Sequence, residues 1–213
     1  MRKLLVSLMF VLFVLFVAPF ASSAANAQIF TPEYHKRDAG YLVISMSGGK
    51  SMKFKPIVMF YQSLDGSEHG SVRYDKPDLL NPLSQRPDFR DADEMGVVIV
   101  RGLKPGRYVF DNFLTHWTNK SFDAHFKMPF EIRPGETTYV GNFRFVEKPT
   151  AGFTGFAQAR DVYFVVRDKA RRDMAIAIRK KNAPRGPVTN MVPDVALLNH
   201  PLFRGPDAPI LNQ

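Results

Sequence analysis

The side chains best able to do chemistry are a run of carboxylates, Asp88, Asp91, Asp93 and Glu94, and five histidines, His35, His69, His116, His125 and His200. Clustered acids can hold a hard cation or act as paired acid and base in glycoside cleavage. An EF-hand loop needs acids at alternate positions, glycine at its sixth place and glutamate at its twelfth, and this run lacks that layout. Arg86 and Arg90 lie among the acids, which fits a solvated, self-compensating loop. The histidine spacings form no HExxH or other compact ligand set. His116 and His125 could meet only across a hairpin. We therefore expect no metal and no cofactor.

The nucleophile and phosphate motifs are missing as well. No G-x-S-x-G elbow is present. Gly49-Lys50-Ser51 ends like a phosphate loop, but Ile44 stands where the first glycine belongs. The chain has no cysteine, which removes thiolate nucleophiles, disulfides and cysteine-ligated metals. Aromatics are plentiful: 19 Phe, 7 Tyr and one Trp. Trp117, with Tyr108 and His116 close by, forms a candidate ligand surface for stacking on a sugar ring. The competing use of such residues is core packing.

The elements that would carry these residues read as short strands. Tyr41–Ser47 and Pro56–Tyr61 are rich in β-formers and close on Gly48-Gly49 and Asp65-Gly66. Val97–Val100 is a third strand. Lys104-Pro105-Gly106 makes a turn, since proline presets one backbone angle and glycine accepts positive φ. Arg107–Phe110 then restarts a strand that can run on to Trp117. Phe126, Met128, Phe130 and Ile132 alternate with polar neighbours, the mark of one buried sheet face. Pro129 places that strand at an edge or a bulge. Arg133-Pro134-Gly135 repeats the turn chemistry, and Tyr139, Gly141, Phe143 and Phe145 fall on one face of the next strand. Val162–Val166 is another.

Between these strands, residues 66–95 form a polar insertion studded with Pro77, Pro82 and Pro87. Asp168 suits the N-cap of a helix over 169–181, with Ala170, Met174, Ala177 and Ile178 on one face. Met174, Ile176 and Ile178 also alternate, so a strand stays open there. Residues 182–213 carry six prolines and read as a tail that straps across the body. The fold class expected is mainly β: an antiparallel β-sandwich at 41–181, one C-terminal helix and a proline-rich tail.

Gly102-Leu103-Lys104-Pro105-Gly106-Arg107-Tyr108-Val109-Phe110 resembles the strand-turn-strand of carboxypeptidase regulatory-like, prealbumin-like sandwiches. Phe130 to Gly141, with Arg133-Pro134-Gly135-Glu136 and Tyr139-Val140-Gly141, is similar to the next hairpin in several exported bacterial families. The resemblance covers about residues 40–167. It implies a sandwich of seven or so strands without catalysis and supplies no catalytic set to carry over. The 66–95 insertion and the tail depart from the simple module.

The first 27 residues point to export. Arg2-Lys3 begins the chain, an apolar run follows from Leu4 to Val17, and small residues lead to Ala25-Asn26-Ala27. That is the three-part layout of a cleaved secretory signal. The run falls short of the ~20 residues that span a bilayer comfortably. Cleavage near Ala27 would leave a lead-in at 28–40 and a soluble periplasmic or extracellular protein without a membrane span. The chain carries a net charge of +9, and losing Arg2 and Lys3 with the leader leaves +7. Such charge favours anionic surfaces. Export directs it away from nucleic acid and toward anionic envelope components or another envelope protein. Arg167, Lys169, Arg171, Arg172, Arg179, Lys180 and Lys181 concentrate it, offset by Asp168 and Asp173.

Three functional readings follow. The first is a non-enzymatic binding or scaffolding module of the cell envelope. The second is a polysaccharide hydrolase using acids of the 65–94 loop. The third is a subunit of an envelope assembly docking through the tail.

Overall fold

The computed structural model describes residues 33–50, 52, 55–75, 85–117, 120–151, 157–180 and 182–208. The expected leader at 1–27 lies outside them, as does the middle of the polar insertion, residues 76–84. The described chain is mainly β. Strands β1 (Gly40–Gly49), β2 (Ile57–Ser63), β3 (His69–Tyr74), β4 (Phe89–Arg90), β5 (Glu94–Leu103), β6 (Gly106–Trp117), β7 (Lys120–Ile132), β8 (Thr137–Ala151) and β9 (Ala157–Arg167) precede helix α1 (Ala170–Ala177). β10 (Val188–Asn190), helix α2 (Val195–Leu198) and β11 (Phe203–Arg204) complete it.

Two sheets form. One runs β11-β9-β8-β1-β5-β4, with β10 also paired to β8, and the other runs β3-β2-β6-β7. They share an apolar core. Leu42, Ile44, Met46, Val97, Ile99, Phe143, Phe145 and Phe164 face Ile57, Met59, Tyr61, Phe110, Phe113 and Phe130 across it. Burying these aromatics and branched residues, at about 25 cal/mol per Å² of apolar area, is the main drive to fold. Pro129 lies on β7, an edge strand of the second sheet, as its missing N–H requires.

Four expectations need correcting. The first sheet is mixed rather than antiparallel: β1 pairs β8 in parallel, and β10 and β11 add to β8 and β9 in parallel. The described residues hold two helices, not one. Part of the polar insertion is ordered sheet, for β3 and β4 both lie in it and pair with β2 and β5. Tyr139 does not share a face with Phe143 and Phe145. Val43 pairs with Tyr139 while Ser45 pairs with Asn142, so β8 carries one extra residue there. Gly141, at φ 112°, takes the irregular position. The slip turns Tyr139 away from the inter-sheet core.

The tail straps on. Thr137 N–H donates to the Pro187 carbonyl at 2.9 Å, and Met191 N–H to the Tyr139 carbonyl at 2.7 Å. Phe203 packs edge-on against Phe126 and Phe143 and stacks on Phe164.

Candidate functional site

Both faces of the central strands are buried, as a sheet covered on two sides requires. The face turned from the inter-sheet core lies under α1. It carries Val43, Val98, Val100 and Tyr139 against Ile176 and Ala177, and beside them polar groups that the strand alternation delivers to the same face: Ser45 and Ser47 from β1, Asn142 and Arg144 from β8, and Arg167 from β9.

The acidic run meets this polar face. Glu94, only 2% exposed, accepts from Arg167 Nη2 and, at 3.1 Å, from Arg172 Nη1. Arg144 Nη1 lies 3.7 Å from the same carboxylate. Asp93 accepts from Arg144 at 2.5 Å and Asp91 from Arg172 at 3.1 Å. Asp88 accepts from Lys180 Nζ at 2.6 Å and from Val98 N–H at 2.7 Å. Asn142 links the arginines to the serines, accepting from Arg167 Nη2 at 2.6 Å and donating to Ser45 Oγ at 2.8 Å.

Asp173 completes the network from α1. It is fully buried and accepts from Ser45 Oγ at 2.5 Å, Tyr139 hydroxyl at 2.7 Å and Arg172 Nε at 2.9 Å. The Arg172 guanidinium also sits 3.7 Å over the Phe89 ring. This is why the helix buries Asp173 with Ile176 and Ala177 while Ile178, expected inside, is 61% exposed. The cap also differs from expectation. Lys169 is the N-cap residue and makes no side-chain cap bond, while Asp168 Oδ1 accepts from Ala170 N–H at 2.9 Å.

The electrostatics follow from these partners. Burial pushes Glu94 up, but the hydrogen bond and charge of Arg167, helped by Arg172 and Arg144, outweigh it and hold the carboxyl below its usual range. The hydrogen bond from Arg144 holds Asp93 low. Burial and then the Asp173 charge push the Tyr139 hydroxyl well up, so it stays a donor. A general acid needs a raised carboxyl. Glu94 and Asp93 are tuned in the opposite direction, which suits permanent ion pairing.

The aromatic candidates separate. Tyr108 does not belong to a ligand surface: it is 1% exposed, stacks on Phe130 in the core, and its hydroxyl lies 2.8 Å from both Glu68 Oε2 and the Lys104 carbonyl. His116 is half-buried, with Nδ1 2.9 Å from Ser121 Oγ. It pairs with Ser121, whereas His125 pairs with Asn112, so the two histidines do not face each other across the hairpin. Trp117 ends β6 opposite Lys120, and its side chain lies outside the described residues. No group of three or more metal-ligating side chains occurs among the described residues, and no helix among them is long and apolar enough to cross a membrane.

No family model and no curated protein matches the chain. Two solved structures are similar in part. A leucine-rich repeat protein from Bacteroides thetaiotaomicron shares 9% identity over 51% of this chain and 14% of its own, with a TM-score of 0.31. A candidate cell adhesion protein from Bacteroides ovatus shares 7% over 62% of this chain and 47% of its own, with a TM-score of 0.25. The chain thus spans less than half the length of either, and neither likeness bears on function.

Proposed function

We propose that the protein is an exported, non-enzymatic β-sandwich of prealbumin-like type that binds or scaffolds components of the cell envelope. One observation carries this reading: all four acids of the candidate loop are ion-paired, and those pairs join the β4–β5 edge to α1, β8 and β9. Acids committed in this way, three to arginines and Asp88 to Lys180, serve structure rather than turnover of substrate. The Pro105-Gly106 turn followed by buried Tyr108 supports the prealbumin-like type. The basic start and apolar run of residues 1–27 support export, cleavage near Ala27 and a periplasmic or extracellular location.

The test is an affinity pull-down from the envelope fraction with the protein as bait. Specific recovery of envelope polymer or protein, with no turnover of envelope polysaccharide, agrees with the reading. Turnover abolished by a point change in one cleft would overturn it.

A second reading, a subunit docking through the tail, draws on the apolar groups the tail leaves outside. Leu197 on α2 is 84% exposed and Val188 on β10 is 50% exposed. Leu197→Asp with Val188→Asp should abolish co-purification of a protein partner if the tail docks, and leave it unchanged if it does not.

A further inference from the structure

The net positive charge has a focus that the ion-pair network does not use. His35, Lys36 and Arg37 from the lead-in line one cleft of about 480 Å³ together with Arg185 from the tail and with Ala39, Tyr41 and Gly135. The two contributing segments lie about 150 residues apart in the chain, so no local motif announces the site. No carboxylate lines it among the described residues.

The cations are held in place by backbone rather than by their own side chains. The lead-in is fixed by Tyr34 N–H to the Gly102 carbonyl at 3.0 Å, by a turn from Ala39 N–H to the Lys36 carbonyl at 3.0 Å, and by Gly135 N–H to the Ala39 carbonyl at 3.2 Å. The tail is fixed to the same β7–β8 turn. Thr137 Oγ1 donates to the Arg185 carbonyl at 2.8 Å. Gly186, at φ 74°, packs so closely that an added Cβ would lie 1.9 Å from the Gly135 carbonyl oxygen. Arg185 is therefore presented by a backbone that only glycine permits next to it.

The side chains themselves are exposed and available. Neither Arg37 nor Arg185 has a side-chain partner among the described residues, and Lys36 rests over the Tyr34 ring at 5.6 Å. His35 leans toward Glu33 at 3.4 Å, and Glu33 is already shared with Arg101 and Asn182. Three permanent cations line this one cleft with no carboxylate among its described lining residues, and a bound anion would balance their charge. Arginine forks suit oxyanions bidentately, and lysine adds a point charge. The volume exceeds that of a bare ion and lies in the range of small-molecule sites.

We infer that this cleft binds a phosphate ester, with Arg37 and Arg185 as the paired forks and Lys36 and His35 as further donors. The inference rests on the binding-module reading above and gives it a site and a ligand class. The ester can be a free small molecule or a lipid headgroup.

The test is calorimetric titration of the full chain with glycerol 3-phosphate and, separately, co-sedimentation with phosphatidylglycerol vesicles against phosphatidylcholine vesicles. We expect saturable binding of glycerol 3-phosphate, weakened about tenfold or more in Arg37→Gln/Arg185→Gln, and unchanged in Arg73→Gln, which lies outside the cleft. If the double variant fails to fold, amide shifts in the wild-type protein confined to Ala39, Tyr41 and Gly135 on adding glycerol 3-phosphate serve instead. Glycerol 3-phosphate that competes with phosphatidylglycerol vesicles identifies one site for both sources. Vesicle binding that resists competition but is lost in the double variant assigns the headgroup alone. No binding of any probe, binding unaffected by the double variant, or preference for glucuronate over glycerol 3-phosphate would overturn the inference. Recovery of envelope material without binding of any probe would sink the cleft and leave the module reading standing. Turnover of polysaccharide would sink the module reading and leave the cleft untouched.

Discussion

Replacing Glu94 with Gln removes the one acid that three arginines share. Its carboxylate is 2% exposed, accepts from Arg167 and Arg172 and lies within 3.7 Å of Arg144. Breaking a buried pair by removing one partner costs about 3–5 kcal/mol, because the remaining charge stays buried. Here each arginine keeps another acceptor: Asn142 for Arg167, Asp91 and Asp173 for Arg172, and Asp93 for Arg144. The amide also preserves shape and one acceptor oxygen. The low end, about 3 kcal/mol, is therefore expected. At roughly 2–4 °C per kcal/mol for a chain of this size, the midpoint should fall by about 6–12 °C. Thermal and urea unfolding followed by circular dichroism would measure it, with Asp75→Asn as control. That variant breaks an exposed pair with Arg73 and should cost less than about 1 kcal/mol. A loss below about 1 kcal/mol for Glu94→Gln would refute the claim that the network holds α1 and the β4–β5 edge to the sheet.

Acid should weaken the same network. Asp93 and Glu94 are held below their unfolded values, so their contribution is full above about pH 4.3 and fades as pH falls through the lowered folded values. Urea midpoints measured from pH 6 to pH 3 should drop, and the drop should be shallower in Glu94→Gln. Phe203→Ala removes a ring packed on Phe126, Phe143 and Phe164, so it should cost about 3–5 kcal/mol and expose the tail to limited proteolysis. Tyr108→Phe keeps the ring in the core but loses the hydroxyl near Glu68 and the Lys104 carbonyl, for about 1–2 kcal/mol in urea unfolding. Because that ring is buried, ligand recovery in the pull-down should not change.

Much of the β framework is legible along the chain. β1, β2 and β5–β9 announce themselves by apolar runs or alternation, and the Pro-Gly turns at 105–106 and 134–135 separate β5 from β6 and β7 from β8. β3 escapes because His69–Tyr74 is polar at alternate places, and its apolar members, Val72 and Tyr74, are too few to stand out from the insertion. The parallel pairing of β1 with β8 joins strands about 95 residues apart, which no local pattern encodes. The bulge at Gly141 is invisible to a period-two count, so Tyr139 lands on the other face. The acids are visible as a cluster, but their meaning depends on Arg144, Arg167 and Arg172, 50 to 80 residues further on. The same non-local pairing buries Asp173 on a helix face that hydrophobicity assigns to Met174 and Ile178.

The most direct test of the claim that these acids are structural is the Asp91→Asn/Asp93→Asn variant, assayed for unfolding and for release of reducing ends from envelope polysaccharide. A lowered unfolding midpoint and no release by either the wild-type or the variant protein are expected. Release by the wild-type protein, abolished in a variant that unfolds at the wild-type midpoint, would contradict that claim.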